Sequence, residues 1–347
     1  MQGPSRLDIG LFAHNEASGI AATIADLGRQ DIFACDSVDL RLLILANGCS
    51  DDTVAVARAA VAALPAAARD RITVLDLPEG GKSRTGHRFI HDLSRDQADL
   101  LGFMDADIEL PCPDTLRRMA ETLAARPELA AFTSRPVKDV VHHKLQAGFV
   151  GRLVAAGGDG LTDWRKSICG QLFMLRAPRA RRIGLPIGLP VEDGFFRAMI
   201  LTDLLSAPED LSRIDGDPEM FHIYRSIRSL GELLHHQTRI VIGSAVNATL
   251  YRRIRREAPT EPEAHALLMA AATDPDWLPR VLSDDLPRRP YGYVPGEFLS
   301  KRWHRFRKSG RLGAKPLLML VLGMGLDSLV WLRASWAMRR GVGAGHW

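Results

Sequence analysis

Residues 100–107 read Leu-Leu-Gly-Phe-Met-Asp-Ala-Asp, and this stretch decides the fold class. Its first five residues are apolar, and Asp105 and Asp107 follow at once. A continuous apolar run predicts a strand that is covered on both faces of a sheet. In α/β proteins, side chains at the carboxyl ends of parallel strands border the crevice that binds ligands. Two carboxylates at that place favour an Mg²⁺ or Mn²⁺ site, although an isolated Asp-x-Asp pair more often marks a solvated acidic turn.

The same pattern repeats through the first 135 residues. Short apolar runs predict five buried strands, at Leu7–Ala13, Leu40–Ala46, Arg71–Leu77, Asp99–Met104 and Leu129–Ser134. Stretches with helical periodicity lie between them, at Glu16–Leu27, Thr53–Ala63, Ser83–Leu93 and Asp114–Ala125. Strands that alternate with helices predict an α/β fold with a Rossmann-like, mostly parallel sheet and flanking helices. Further on, Gln171–Leu175 is a candidate strand, and helical patterns dominate from about 226 to 272.

Two strand-to-helix junctions are predicted at the same edge of the sheet as Asp105, and a third junction follows further along the chain. The first strand ends in Ala13-His14-Asn15-Glu16, the second runs into residues 46–53, and a loop Gly80-Gly81-Lys82-Ser83 follows the third. The glycines and lysine of that loop are typical of an anion site near a helix start. Its spacing does not match a Walker A loop. The alternative for each junction is ordinary turn and capping chemistry.

In this order the motifs resemble glycosyltransferase family 2, whose members use nucleotide sugars and have the GT-A fold. They are a strand ending in Asn-Glu, the stretch Asn-Gly-Cys-Ser-Asp-Asp-Thr at 47–53, the Gly-Lys-Ser loop and Asp-Ala-Asp. The resemblance covers about residues 6–240. It implies transfer of a sugar from a nucleotide diphosphate to a hydroxyl acceptor with inversion. It also implies that Glu16 binds the nucleoside, that Asp105 lies by the ribose and the metal, and that Asp107 ligates a divalent cation, Mg²⁺ or Mn²⁺.

One departure leaves the nucleotide base open. The family usually has an aspartate where Ala46 stands, and Asn47 and Asp76 are the candidate substitutes. The predicted nucleotide-sugar site therefore consists of Ala13, Asn15, Glu16, Asn47, Asp76, Lys82, Asp105 and Arg239.

Two further motifs concern the acceptor side. Residues 189–194 resemble the Glu-Asp motif of the family, which implies Asp193 as general base, with Glu192 beside it, toward the acceptor hydroxyl. The alternative role of Asp193 is to cap the helix that follows. Residues 236–240, His-Gln-Thr-Arg-Ile, resemble a degraded Gln-x-x-Arg-Trp motif. Arg239 there is suited to a bidentate contact with phosphate, and the alternative is a solvated helix face.

The charge of the chain is divided unevenly. Residues 301–347 hold ten Lys and Arg and one acidic residue, Asp327, so this tail carries +9 and the first 300 residues carry −5 of the total +4. The basic residues precede the apolar run Leu317–Leu326, which is short for a spanning helix and is followed by an acid. We therefore predict a helix that lies on the cytoplasmic face of a membrane. A terminal helix packed on the body is the alternative, and no nucleic-acid motif is present.

These observations divide the chain into three parts: a GT-A catalytic domain at 1–240, with nucleotide-sugar and acceptor halves at about 1–135 and 136–240; a helical extension with a Pro-rich connector at 241–295; and a membrane-associating tail at 296–347. The opening residues show no secretory signal, and the four cysteines have no C-x-x-C spacing, so we expect a cytoplasmic protein. A membrane-bound tail favours a lipid or lipid-linked acceptor. Two other functions remain open, a sugar-phosphate nucleotidyltransferase and a non-catalytic nucleotide-binding scaffold.

Overall fold

The computed structural model describes residues 5–144, 163–286, 294, 296–309 and 313–340. Eight strands form one sheet: β1 (Ser5–Ala13), β2 (Val38–Asn47), β3 (Ile72–Leu77), β4 (Leu100–Asp105), β5 (Ile108–Glu109), β6 (Ala131–Lys138), β7 (Leu172–Arg176) and β8 (Ile214–Tyr224). The five strands that the apolar runs predict are β1–β4 and β6, and the candidate strand at 171–175 is β7. The largest shift is at the end of β6, which continues past Ser134.

The described helices flank this sheet and then form a C-terminal part of their own. They are α1 (Ile20–Gly28), α2 (Thr53–Ala62), α3 (Ala66–Arg69), α4 (Lys82–Arg88), α5 (Thr115–Ala125), α6 (Asp139–His142), α7 (Ala177–Ala180), α8 (Glu192–Leu201), α9 (Leu230–Glu257), α10 (Glu261–Thr273), α11 (Trp277–Asp285), α12 (Glu297–Ser309) and α13 (Ala314–Arg339). A single π-helical turn, Phe89–Leu93, continues α4.

The sheet is mixed but mostly parallel, in the order β3-β2-β1-β4-β7-β6-β8-β5. Strands β1 to β4 are parallel to one another, and β7 is antiparallel to both of its neighbours. The register places Phe12 beside Asp105 and Ala13 beside Ala46. The carboxyl ends of β1, β2 and β4 therefore meet at one edge, which confirms the predicted α/β class.

Alternate residues of each strand pack in two hydrophobic layers, one on each face of the sheet. On one face, Leu7, Ile9 and Leu11 of β1 pack in a core with α1 and α5. On the other face, Phe103 of β4 stacks on Phe173 of β7 with ring centroids 4.8 Å apart. Since both faces of the central strands are covered, these strands are continuously apolar in sequence. The layers fix the strand ends that carry the polar side chains.

Strand β8 was not predicted, because its sequence, Ile-Asp-Gly-Asp-Pro-Glu-Met-Phe-His-Ile-Tyr, contains no continuous apolar run. It pairs in parallel with β6, and the register shifts between Ser134 and Arg135. At this bulge Ser134 pairs with Asp217 and Arg135 with Phe221, so the intervening residues, Pro218 among them, leave the ladder. The bulge accommodates a proline that could not donate a ladder hydrogen bond.

The C-terminal helices are packed onto the body. Helix α9 runs without interruption through residue 240, where the first predicted domain boundary falls. Val330 and Ala334 of α13 are buried in the same core cluster as Val246 and Leu250 of α9. The apolar run that Asp327 divides in sequence is thus one continuous helix. Residues Pro316–Arg339 of α13 are long and apolar enough to cross a bilayer by length and composition alone, with 17% of the most apolar window buried.

Candidate active site

A cleft of about 1910 Å³ lies at the carboxyl edge of the sheet. The ends of β1, β2 and β4 form one side, and residues 190–194 with the first half of α9 form the other. The carboxyl ends of the parallel strands, where α/β proteins bind ligands, therefore open onto this cleft.

The loops after β1 and β2 are fastened to each other. Asn15 has φ of 54°, a left-handed conformation that asparagine tolerates better than most residues. Its Oδ1 accepts a 2.8 Å hydrogen bond from the backbone N–H of Ser50. The next residue, Glu16, donates its own N–H to Oγ1 of Thr53 at 2.8 Å. These bonds hold the Glu16 carboxylate at the cleft.

Asn47 fixes the end of β2 to both neighbouring loops. It is buried, donates from Nδ2 to the carbonyl of Ala13 at 2.9 Å, and accepts at Oδ1 from the N–H of Gly81 at 3.2 Å. Gly48, at φ of 56°, lets the loops approach, because a Cβ there would lie 2.6 Å from Cα of Gly80. The Gly-Gly-Lys loop is thereby held against the cleft, and α4 begins at its lysine.

Lys82 joins the two sides of the cleft. Its Nζ lies 2.6 Å from Oδ1 of Asp105 and 3.0 Å from Oε1 of Glu192, and it also donates to the carbonyl of Gly170 at 3.3 Å. Burial opposes the charged form of Lys82, but the two carboxylates outweigh it and raise the pKa of this ammonium. Burial raises the pKa of Asp105 to about 6, although Lys82 acts in the opposite direction. Lys82 is thus a fixed cation between two acids.

Negative charge is concentrated on the side of the cleft that the sheet forms. Burial, followed by the charges of Asp107 and Asp105, raises the pKa of Glu16 to about 7. The Asp107 side chain is exposed and lines the cleft. Within the described ranges, no group of three or more His, Cys, Asp or Glu side chains converges closely enough to hold a metal ion. The carboxylates of Glu16, Asp105 and Asp107 therefore favour a bound cation by their charge, but they do not surround a site for one.

Asp193 enters from the opposite side. Helix α8 begins at Glu192, so Asp193 lies in its first turn and not at the N-cap position. Its Oδ1 accepts from the N–H of Gly194 at 2.7 Å, and its Oδ2 is close enough to Gly170 that a Cβ there would lie 3.0 Å away. Burial and the neighbouring Glu192 raise the pKa of Asp193, while Lys82 and other donors oppose that shift.

Helix α9 holds the segment that carries Asp193. Asn247 donates from Nδ2 to the carbonyl of Val191 at 3.1 Å, and the Tyr251 hydroxyl donates to the carbonyl of Gly194 at 3.0 Å. One turn earlier, Gly243 packs directly against Val191, since a Cβ at 243 would lie 2.0 Å from its Cγ2. These three helix positions, spaced four residues apart, form a stripe along the back of the site.

Most of the predicted site residues line this cleft, and two do not. The lining positions are Ala13, Glu16, Asn47, Lys82, Asp105, Asp107, Glu192, Asp193 and Arg239. Among the described lining residues neither Asn15 nor Asp76 occurs: Asn15 fastens the loops, and Asp76 is exposed on β3 opposite Ala46. Their roles toward a nucleotide remain predictions, as do those of the lining residues.

The sequence did not indicate the support beneath Asp105. Gln171 accepts the N–H of Asp105 at its carbonyl, 2.8 Å away, and its side-chain Oε1 lies 2.9 Å from Nε2 of His222. The other ring nitrogen of His222 lies 3.0 Å from Oγ of Ser134, and burial lowers the pKa of this imidazole to about 3. Both ring nitrogens are thus engaged, and His222 supports the Gln171 side chain beside the end of β4. The sequence did not indicate this role, because His222 lies in β8, the strand without a continuous apolar run.

Comparison with solved structures identifies the fold. One similar structure is the mannosyltransferase PcManGT from Pyrobaculum calidifontis in complex with GDP-Man and Mn²⁺. The superposition covers 97% of this chain and 87% of PcManGT, with 15% sequence identity and a TM-score of 0.53. Glucosyl-3-phosphoglycerate synthase from Mycobacterium tuberculosis matches 71% and 79% at 18% identity, with a TM-score of 0.47. Mannosyl-3-phosphoglycerate synthase from Rubrobacter xylanophilus matches 74% and 76% at 15% identity, with a TM-score of 0.48. The first of these confirms the GT-A fold.

Comparison with known sequences supplies the family. No curated protein matches the chain. The model of the family described as glycosyl transferase family 2 matches residues 8–192, which is more than half of the chain. This match favours sugar transfer over the two other functions considered, nucleotidyl transfer and a non-catalytic scaffold. The chain therefore belongs to glycosyl transferase family 2 and is a glycosyltransferase.

Proposed function

We propose that the enzyme transfers a sugar from a nucleoside diphosphate sugar to a hydroxyl acceptor, with inversion and with a divalent cation. One observation carries the proposal: carboxylates from opposite sides of one cleft face a common space, Asp105 and Asp107 from the sheet and Asp193 from α8. An acidic pair suited to a metal-bound diphosphate thus faces a separate carboxylate suited to accept a proton.

The residues at the donor side fit a divalent cation. Asp105 and Asp107 offer carboxylate oxygens, the ligands that Mg²⁺ and Mn²⁺ prefer. Burial and, after it, the negative charges of Asp107 and Asp105 raise the pKa of Glu16, and a cation would relieve the repulsion among these three carboxylates. Since the described residues do not complete a coordination shell, oxygens of the diphosphate would share it. A bound cation would supply charge neutralisation to the leaving diphosphate.

Lys82 supplies a second positive charge at the same place. The Gly-rich loop and Asn47 fix its position, and it already bridges Asp105 and Glu192. We propose that Lys82 stabilises the charge that develops on the diphosphate as the sugar leaves. Because it is held in place beforehand, little reorganisation is needed in the transition state.

Asp193 acts as the general base. The acceptor hydroxyl must lose its proton as its oxygen attacks the anomeric carbon, and the proton passes to the Asp193 carboxylate. Burial beside Glu192 raises the pKa of Asp193 and makes it a stronger base than a solvated carboxylate. One base on the side opposite the donor is the arrangement of a single displacement, which inverts the anomeric centre.

We also propose that the enzyme works in the cytoplasm on a membrane surface, with a lipid or lipid-linked acceptor. One side of α13 is packed on the body, and its outer face consists of Leu317, Leu318, Val321, Leu322, Leu329, Leu332 and Trp336, each 45–60% exposed. The adjoining α12 is rich in Lys and Arg. An exposed apolar face beside basic residues is typical of a helix at the interface of an anionic membrane.

The test is Asp193→Asn, after a thermal-shift panel of nucleotide sugars with Mn²⁺ has identified the donor. We expect turnover to fall on the order of 10²–10⁴-fold while stabilisation by the donor and Mn²⁺ is retained. Asp96→Asn, at an exposed loop position away from the cleft, is the matched control and should behave as wild type. Undiminished turnover of Asp193→Asn would contradict the assignment.

A further inference from the structure

The cleft continues beyond Asp193 into an apolar arm between α9 and α13. We use this name for the part lined by Leu230 and Ile240 of α9, Pro279 of α11, and Met319, Leu322 and Leu329 of α13. The same cavity contains Asp105 and Asp193, so the arm is continuous with the space where sugar transfer is proposed. Nothing in the donor chemistry uses this arm.

The walls of the arm leave large apolar side chains in contact with solvent. Leu230 is 52% exposed, Ile240 37%, Leu322 54% and Leu329 45%. Single exposed leucines are ordinary, but a contiguous apolar surface that lines a cleft is typical of a binding site for an apolar ligand. The arm therefore favours hydrocarbon over sugar, because sugar hydroxyls would find few polar partners on these side chains.

The arm opens onto the outer face of α13. Leu322 and Leu329 lie two turns apart on one side of the helix and belong both to the arm and to the outer face. Their neighbours Leu318, Val321 and Leu332 extend the outer face away from the cleft. Leu322 and Leu329 thus connect the outer face of α13 with the arm through an aliphatic surface.

The inner end of the arm is polar. Arg239 precedes Ile240 on α9, lines the cleft, and lies close enough to Asp193 to influence its pKa. Arg302 also lines the cavity, but it packs on α13 at Gly323, where a Cβ would lie 2.6 Å from its Cδ, and its charge is paired with Asp327 through two hydrogen bonds of 2.7 and 2.8 Å. A ligand in this cavity therefore meets Arg239 and Asp193 at one end and the aliphatic side chains of the arm at the other.

We propose that the apolar arm binds the hydrocarbon chain of an amphiphilic acceptor, whose hydroxyl then faces Asp193. The acceptor enters laterally from the lipid surface along Leu322 and Leu329. This inference rests on the proposed function and adds to it a chain-binding site that determines which hydroxyl compounds are accepted.

The test uses a long-chain alcohol that carries a photoreactive diazirine in its chain, added to the full-length protein without vesicles. After irradiation, the labelled peptides are mapped by mass spectrometry. We expect the label on residues 230–240 and 319–329. The arm variant, Leu230→Ser with Ile240→Ser, should reduce this labelling about tenfold. The matched variant, Leu318→Ser with Leu332→Ser, also changes two exposed aliphatic residues, but on the outer face, and should keep the labelling of the arm.

Stabilisation by nucleoside diphosphates with Mn²⁺ is measured on the same proteins, so that the two proposals can fail separately. Donor stabilisation with labelling confined to the outer face would overturn the chain-binding site alone. Labelling of the arm variant at the wild-type level would overturn it as well. Absence of donor stabilisation in the wild-type protein would instead contradict the proposed function.

Discussion

Gly243→Ala tests whether α9 holds the segment that carries Asp193 in its working position. A Cβ at residue 243 would lie 2.0 Å from Cγ2 and 2.9 Å from Cβ of Val191. Neither distance is compatible with van der Waals radii, so either Val191 or the helix must move. The carbonyl of Val191 is also the acceptor for Asn247. A shift of this residue is therefore transmitted to Asp193, two positions later.

The expected magnitude follows from two opposing effects. Overpacking a well-packed site costs about 1–3 kcal/mol, whereas alanine in place of glycine within a helix gains about 0.5–1 kcal/mol. We expect a net loss on the order of 1 kcal/mol in the free energy of unfolding. The effect on catalysis should be larger, because misplacing a reacting group by about 1 Å can cost on the order of 10²-fold in rate.

The assay compares thermal unfolding and steady-state transfer for Gly243→Ala and for Gly231→Ala. The control lies in the same helix, and an added Cβ there would meet only Oγ of Ser229, at an ordinary contact distance of 3.9 Å. It should retain wild-type turnover and unfold at wild-type stability or gain up to about 1 kcal/mol, because alanine favours the helix. A Gly243→Ala enzyme with normal turnover and normal stability would show that Val191 can give way. A normal turnover with lowered stability would show that the contact is structural only.

Three further changes probe the site. Asp107→Ala should abolish the Mn²⁺-dependent part of the stabilisation by nucleoside diphosphates and leave unfolding without ligand unchanged, as thermal shifts would show. Tyr251→Phe removes the donor to Gly194 and should lower turnover more than Thr249→Val, which removes a buried hydroxyl that bonds within α9. Glu16→Gln should be more stable than wild type above pH 7 and equal to it below pH 4.5, because the raised folded-state pKa means that wild type loses stability as Glu16 ionises. Urea unfolding at both pH values measures this.

The sequence predicts which residues of the proposed donor half come together in the cleft, because the signals for them are local. The strands before Glu16, Asn47 and Asp105 are continuous apolar runs, and a parallel sheet brings their ends together. Lys82 follows from glycines next to a helix start. Each of these predictions needs only the strand, the turn and the rule that parallel strands end at one edge.

Side chains whose partners are distant in sequence could not be placed in the same way. Asp8 reads as a polar residue in β1, yet it is fully buried, with ion pairs to Arg41 at 2.6 Å and Arg95 at 2.7 Å. The hydrogen bond between His222 and Gln171 depends on β8, which a bulge and a proline conceal. Such contacts depend on the pairing order of the sheet, which periodicity does not determine.

The charge of the C-terminal residues and the packing of α13 lead to different divisions of the chain. By charge, residues 301–347 form a separate basic tail, and Asp327 argues against a helix that spans the membrane. In the structure Asp327 is paired with Arg302 between α12 and α13, so the acid is neutralised and does not interrupt the outer face. The opposite side of α13 buries Val330 and Ala334 against the body. Deleting the helix would expose that core, and a loss of vesicle binding would then be indistinguishable from unfolding. Substitutions confined to the outer face, such as Leu318→Ser with Leu332→Ser, leave the buried side intact and separate the two effects.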